Sequence, residues 1–217
     1  MPLASIPFSR EQFMGAFSAY NDAVWPAQYV LLAAAVACVL LARAGTLRAS
    51  RAAWAILALL WAWMAIAYHW AHFAAINPAA YAFAALFLAA AGLFARAAIL
   101  GTPRFGLDSH TAPWGLLLVA IGLVGYPVAS HLLGHHYPDA PTFGVPCPTT
   151  IFTLGMLLLC VSPVPRAVLA IPLLWVAVGT VAAFAFSMYE DFVLVFAGLL
   201  ALGLQVKDPG EDVGMGI

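Results

Sequence analysis

The chain has 217 residues, of which 65% are hydrophobic and 8% charged, and its formal net charge is −1. Ordinary soluble domains carry about 25% charged residues, and a soluble chain this apolar lacks the polar side chains to cover its surface. Soluble globular classes are excluded, and no nucleic-acid partner is expected of a chain without net positive charge.

The first residues lack the basic start and directly following apolar core of a cleavable signal peptide. From Ser9 to Tyr20, Phe13, Met14 and Phe17 share one helical face, and Ser9 with Gln12 three residues later forms a capping-box pattern. The expectation is a short helix lying on the outer membrane surface.

Seven apolar stretches come next, at about 25–42, 53–76, 79–99, 113–133, 148–163, 166–186 and 188–206. A crossing needs about 17–25 apolar residues. The runs are rich in Ala and Leu without period-two alternation, so helices rather than barrel strands are predicted. The fifth stretch is short, with breaks expected at Pro148 and Pro163. Pro127 and Pro172 lie inside spans and predict kinks. The third span is Ala-rich around Ala84–Ala91 and Gly92, which suits close helix packing. Trp25, Trp54, Trp70 and Trp114 fall near predicted span ends, where amphipathic rings favour the headgroup level.

Fold class is therefore all-α: a seven-transmembrane-helix bundle forming one domain over residues 1–207, with a flexible tail over 208–217. Arg43, Arg48, Arg51, Arg96, Arg104, Arg166 and Lys207 lie on one side of this topology, against Arg10 alone on the other. Positive charge stays cytoplasmic, which places the N-terminus outside and the C-terminus in the cytoplasm.

The polar residues then sort unevenly. Five of six histidines fall on the outer side, with only His110 inside, and the outer side also carries Glu11, Asp22, Asp139, Glu190 and Asp191. Such an acidic field favours cations. His131 and His135 are four apart at the end of the fourth span, and His69 and His72 are three apart at the end of the second. Each pair shares a helical face if its helix persists. Two helices presenting imidazoles at one depth could complete a metal site, with Asp22, Glu190 or Asp191 as ligand or ring-orienting partner. His136 and Asp139 read as solvated loop residues. Cys147 stands between Pro146 and Pro148 near a helix start, where the dipole favours thiolate. It reads either as a soft metal ligand or nucleophile, or as a small packing residue. Thr149 or Thr150 is expected to cap the fifth span. The acids Glu190 and Asp191 also suit a helix N-terminus without any further role. Cys38 and Cys160 suggest no disulfide framework.

Two stretches carry a family resemblance: Phe13 with Tyr20-Asn21-Asp22-Ala23-Val24-Trp25-Pro26, and Gly144-Val145-Pro146-Cys147-Pro148-Thr149-Thr150-Ile151-Phe152-Thr153-Leu154-Gly155. With them the chain resembles an uncharacterised family of bacterial seven-helix multi-pass membrane proteins. That resemblance implies the bacterial inner membrane and supplies no activity. A looser similarity, resting on helix number and the His131–His135 spacing, is to membrane-embedded zinc hydrolases of the ceramidase and progestin-receptor type. Retinal proteins are excluded: the only lysine, Lys207, lies beyond the last span.

The leading functional expectation is a divalent-cation site near the outer face, for binding or transport, built from His69, His72, His131, His135 and Cys147. Imidazole and carboxylate ligands select zinc or copper. The alternatives are a zinc-dependent hydrolase with Asp22, Glu190 or Asp191 as catalytic base, a bis-histidine haem protein, and a structural or interaction role.

Overall fold

The structure is a computed structural model and describes residues 7–205; the 208–217 tail lies outside the described residues. The chain runs α1 (Arg10–Val24), α2 (Ala27–Ala44), α3 (Leu47–Trp63), α4 (Ala80–Leu100), α5 (Ala112–Ala120), α6 (Tyr126–Leu132), α7 (Pro146–Leu158), α8 (Arg166–Phe186) and α9 (Phe192–Gln205). A π-helical stretch, Met64–Trp70, extends α3, and another, Ile121–Gly125, joins α5 to α6.

Five helical segments are long and apolar enough to cross a membrane: Ala27–Ala44, Leu47–Ala75, Ala80–Leu100, Ala112–Leu132 and Arg166–Phe186. Their outward residues suit lipid rather than water. Leu59, Ile99, Phe184 and Leu199 are 67–75% exposed and spread around the bundle, a surface that soluble monomers avoid.

The expected fifth and seventh crossings correspond to α7 and α9, of 13 and 14 described residues. At 1.5 Å per residue α7 is about 20 Å long, short of the roughly 30 Å hydrocarbon core. Its shortness has a structural counterpart. Every residue of α7 except Cys147 is buried, with α5, α8 and α9 packed around it. It meets no lipid, so its length need not match the bilayer.

Proline at the start of α7 acts differently from the expectation. Pro148 was expected to break the chain, and Thr149 or Thr150 to cap the helix after it. The helix instead begins at Pro146 with Val145 as its N-cap. First-turn N–H groups have no intrahelical partner, so both prolines fit there. Thr149 turns back, its Oγ1 accepting from the Gly144 N–H at 3.0 Å. Pro172 lies within an unbroken α8, whereas Pro127 comes directly after the π-helical stretch of the fourth span.

The core grows from large side chains on α3 set into small ones on α4. Ala80, Ala84, Phe87, Ala91 and Phe94 recur at three- and four-residue intervals on the buried face of α4. Trp61 stacks on Phe87 at 4.5 Å, and Trp54 meets Phe94 at 5.7 Å. Trp54 was expected at the membrane interface. It is fully buried, and its indole donates to the Pro103 carbonyl at 2.8 Å. Trp25, Trp70 and Trp114 are 44–61% exposed, as interfacial rings should be.

Hydrogen bonds gather the connections at two ends. At one end Arg104 donates to the Gly45 carbonyl, Ser50 Oγ accepts from the Phe105 N–H, and the Val161 N–H donates to the Arg104 carbonyl. The α2–α3, α4–α5 and α7–α8 connections therefore meet there. The other end carries α1, the chain after His69, the 133–145 loop and the α8–α9 turn.

Helix α5 reaches α7 through a glycine pair. A Cβ on Gly155 would lie 2.8 Å from the Gly115 carbonyl oxygen and 2.8 Å from the Val119 nitrogen, both backbone atoms. A Cβ on Gly92 would meet nothing within 4 Å. We expect Gly155→Ala to cost roughly 1–3 kcal/mol through overpacking and Gly92→Ala to be neutral. Thermal unfolding of the detergent-solubilised variants, followed by size-exclusion chromatography, measures this difference.

Candidate functional site

The structure separates the expected metal ligands. Helix α6 ends at Leu132, and Gly134 takes a left-handed φ of +89°. The helix does not persist to His135, so His131 and His135 diverge. His131 Nδ1 lies 3.0 Å from His136 Nδ1 on the exposed loop, while His135 turns inward and is buried. The π-helical turn likewise breaks the register of His69 and His72. His72 Nδ1 donates to the Ala67 carbonyl at 2.6 Å. His69 is fully buried among Tyr68, Phe73, Phe83, Phe87 and Trp175, and neither ring nitrogen has a partner among the described residues. Asp22 is exposed on α1. Among the described residues no three His, Cys, Asp or Glu side chains gather into a group that could hold a metal ion.

What does gather is a polar network between α1, α6, α7 and the α8–α9 turn. Arg10 Nε donates to the Phe186 carbonyl at 2.9 Å, and its Nη2 lies 3.2 Å from His135 Nε2. A guanidinium only donates, so Nε2 accepts and His135 carries its proton on Nδ1. That N–H donates to Glu190 Oε1 at 2.7 Å. The chain Arg10–His135–Glu190 thus has a fixed direction.

Beside it, Tyr126 Oη donates to Asp191 Oδ1 at 2.6 Å, and the Cys147 thiol also faces this carboxyl. Asp191 lies in the turn between α8 and α9, outside the spanning helices. Burial pushes its carboxyl up to about 7, against the lowering effect of the Tyr126 and Cys147 hydrogen bonds. The thiolate expected at Cys147 has no support from its surroundings. The sulfur sits between an apolar cavity and Asp191, and among the described residues no cation lines that cavity to balance a negative charge. Cys147 keeps some accessible surface, but that surface faces the cavity rather than bulk water.

Asn21 holds the roof in place, a role its position before Asp22 did not reveal. Its Nδ2 donates to the Pro138 and Ala140 carbonyls at 2.6 and 2.8 Å, and its Oδ1 accepts from Thr142 Oγ1 at 2.6 Å. Gln28 donates to the Asn21 carbonyl, and Ser18 donates to Asp139. Tyr20 is sealed beneath, accepting from the Trp63 indole at 2.8 Å. The capping box predicted at Ser9 and Gln12 is present.

Between α1, α4, α7 and α8 lies a cavity of about 400 Å³. Among the described residues 19 line it, of which eight are aromatic and none is charged. Phe13 and Phe17 on α1 form one wall, Phe73 and Phe83 another, and Cys147, Trp175 and Gly179 a third. The cavity volume falls within the usual range for small-molecule sites, about 300–1,000 Å³.

Apolar helices with lipid-suited outer faces and an uncharged aromatic cavity among polar supports define a helical multi-pass membrane protein. The chain belongs to a family of unknown function, DUF6064, whose family model matches residues 10–210. The match begins at the first residue of α1, so the roof of the cavity is part of the family's domain. No curated protein and no solved structure matches the chain.

Asp191 carries a testable pH dependence. Its folded-state value lies above the ordinary carboxylate range of about 3.9, so ionisation is penalised only in the folded protein. Stability should therefore fall as pH rises from that range through about 7. Asp191→Asn, which keeps a neutral side chain of the same shape, should flatten this slope in thermal unfolding measured across the window.

Proposed function

We propose that this protein binds an uncharged, apolar small molecule that it takes from the lipid phase into the cavity beneath α1. The observation carrying this reading is the aromatic cavity of about 400 Å³ with no charged lining residue among those described. A fatty-acid carboxylate or a phosphate headgroup would find no cation inside it. The Arg10–His135–Glu190 chain and the Asn21 contacts hold the roof over it.

The topology that accompanies this reading has seven crossings, with α7 and α9 as the short fifth and seventh. Arginines 43, 48, 51, 96, 104 and 166 lie at the end opposite α1. Placing that end in the cytoplasm of a bacterial inner membrane obeys the positive-inside rule and opens the cavity toward the outer leaflet.

Filling the cavity tests the proposal. Ala182 lines it and is half-buried on α8. Ala182→Trp should weaken binding of the apolar fluorophore N-phenyl-1-naphthylamine at least tenfold, about 1.4 kcal/mol, while the elution profile stays that of the wild type. Equal binding by both proteins would contradict the proposal.

A zinc or copper site at the α1 end is the second reading. The exposed His131–His136 pair favours it, since two Nδ1 atoms 3.0 Å apart can share one ion of that kind. Elemental analysis of the purified protein should then give one zinc or copper per chain, lost in His131→Ala. Metal-free protein, or metal kept by the variant, counts against it.

A further inference from the structure

We propose that the end of the bundle opposite α1 carries a binding site for an anionic phospholipid, with Arg43, Arg48, Arg51 and Arg104 around the headgroup phosphate. The site is separate from the cavity and does not depend on the function proposed for it.

Charge at this end is lopsided. Among the described residues six arginines, at 43, 48, 51, 96, 104 and 166, stand against one carboxylate, Asp108. The ion pair found among the described residues, His135–Glu190, belongs to the other end. Four of the six arginines share one neighbourhood. Arg43 lies in the last turn of α2, and Arg48 and Arg51 are three residues apart on one face at the start of α3. Arg104 joins them from the α4–α5 connection, its Nη2 donating to the Gly45 carbonyl at 2.7 Å. Arg51 packs over the end of α4, where a Cβ built on Gly101 would lie 3.1 Å from its Nε. All four side chains are exposed.

Helix ends account for part of this arrangement. Arg43 and Arg104 serve the C-terminus of α2, and Arg51 serves that of α4, where cations are favoured. Arg48 has no such account. It is the second residue of α3, whose first turn holds no acid, so it adds charge to the positive end of the helix dipole. The positive-inside rule asks for basic residues in this connection. It does not ask for one inside the first turn of a helix. An anion offsets the excess. Backbone contacts already hold Arg51 and Arg104 in place. A guanidinium carries several N–H donors, so the bond to Gly45 leaves Arg104 others for phosphate oxygens, which Arg binds strongly.

Apolar surface beside the cluster selects a lipid over a free anion. Leu47, Ile99 and Leu100 are 46–75% exposed, and Leu47 borders Gly101, the residue after Leu100. Leu40, also exposed, lies three residues before Arg43 on the same side of α2. Acyl chains can run along these residues while the phosphate stays with the arginines.

The test uses thermal unfolding of the full-length protein in a neutral detergent. Three probes are titrated: dioleoylphosphatidylglycerol, dioleoylphosphatidylcholine and sodium phosphate. Phosphatidylglycerol should raise the unfolding temperature, and the other two should not. Arg48→Gln should raise the phosphatidylglycerol needed for half the shift roughly fivefold, about 1 kcal/mol. Arg166→Gln removes the same charge from α8, which packs on α4, α7 and α9, and should leave that requirement unchanged. Arg43→Gln, exposed on a different helix, should repeat the Arg48→Gln loss and decides the matter if Arg48→Gln elutes abnormally. Equal stabilisation by phosphatidylcholine reduces the site to acyl contacts and overturns the proposal. Equal stabilisation by sodium phosphate makes it a free-anion site and also overturns it. So does an equal loss in Arg166→Gln, which shows diffuse charge, or the absence of any shift with phosphatidylglycerol.

Discussion

The structure depends on the burial of α7. A helix surrounded on every side must satisfy its polar groups and fill its contacts from the protein alone, since neither lipid nor water reaches it. That requirement explains the residues that surround it. Glycines at 115 and 155 bring α5 and α7 to backbone contact. Of its threonines, Thr153 bonds back to the Thr149 carbonyl at 2.7 Å and accepts from the Trp61 indole at 3.0 Å, whereas Thr150 Oγ1 has no partner among the described residues. Prolines replace N–H groups that would otherwise be orphaned at its start. Helix α7 begins only at Pro146, after the 133–145 loop. Asn21 of α1 ties that loop down, and residues of α1, the loop and the start of α7 line the cavity.

Charge is distributed by the same constraint. The acids at 190 and 191 sit in a turn that the bundle buries, each with a designated donor: His135 for Glu190 and Tyr126 for Asp191. Arg10 completes the first pair from the α1 side. These polar groups stand beside the cavity without lining it, so the walls stay neutral while the roof is tied down. Glu190 Oε2 and Ser130 Oγ remain buried without partners among the described residues, so the network is not saturated with hydrogen bonds.

Much of the helical layout was readable from the residues because lipid imposes long apolar runs with little freedom. The α1 cap at Ser9, the Ala-rich face of α4 and the interfacial Trp25, Trp70 and Trp114 come from local rules. The histidines could not be read that way. Their i, i+3 and i, i+4 spacings presume ideal helix, and a π-helical turn after Trp63 and a left-handed Gly134 undo that premise. Trp54 near a span end looked interfacial, yet its contact with Pro103 comes from a loop 49 residues away. Asn21 read as an ordinary residue before a helix boundary, and its clamp on residues 138–142 is a long-range fact. The cavity was invisible for the same reason, since its walls come from four separate stretches. Its sequence trace was the apolar face of Phe13, Met14 and Phe17, which reads equally as a membrane-facing stripe.

The central claim is that the space under α1 is a binding site for an uncharged apolar molecule. Solvent extraction and mass spectrometry of protein purified from its native membranes, compared with Ala182→Trp purified in parallel, tests it most directly. The account predicts one neutral, apolar compound at close to one per chain in the wild type and its loss from the variant. Identical extracts from both proteins, containing only bulk membrane lipids, would contradict it.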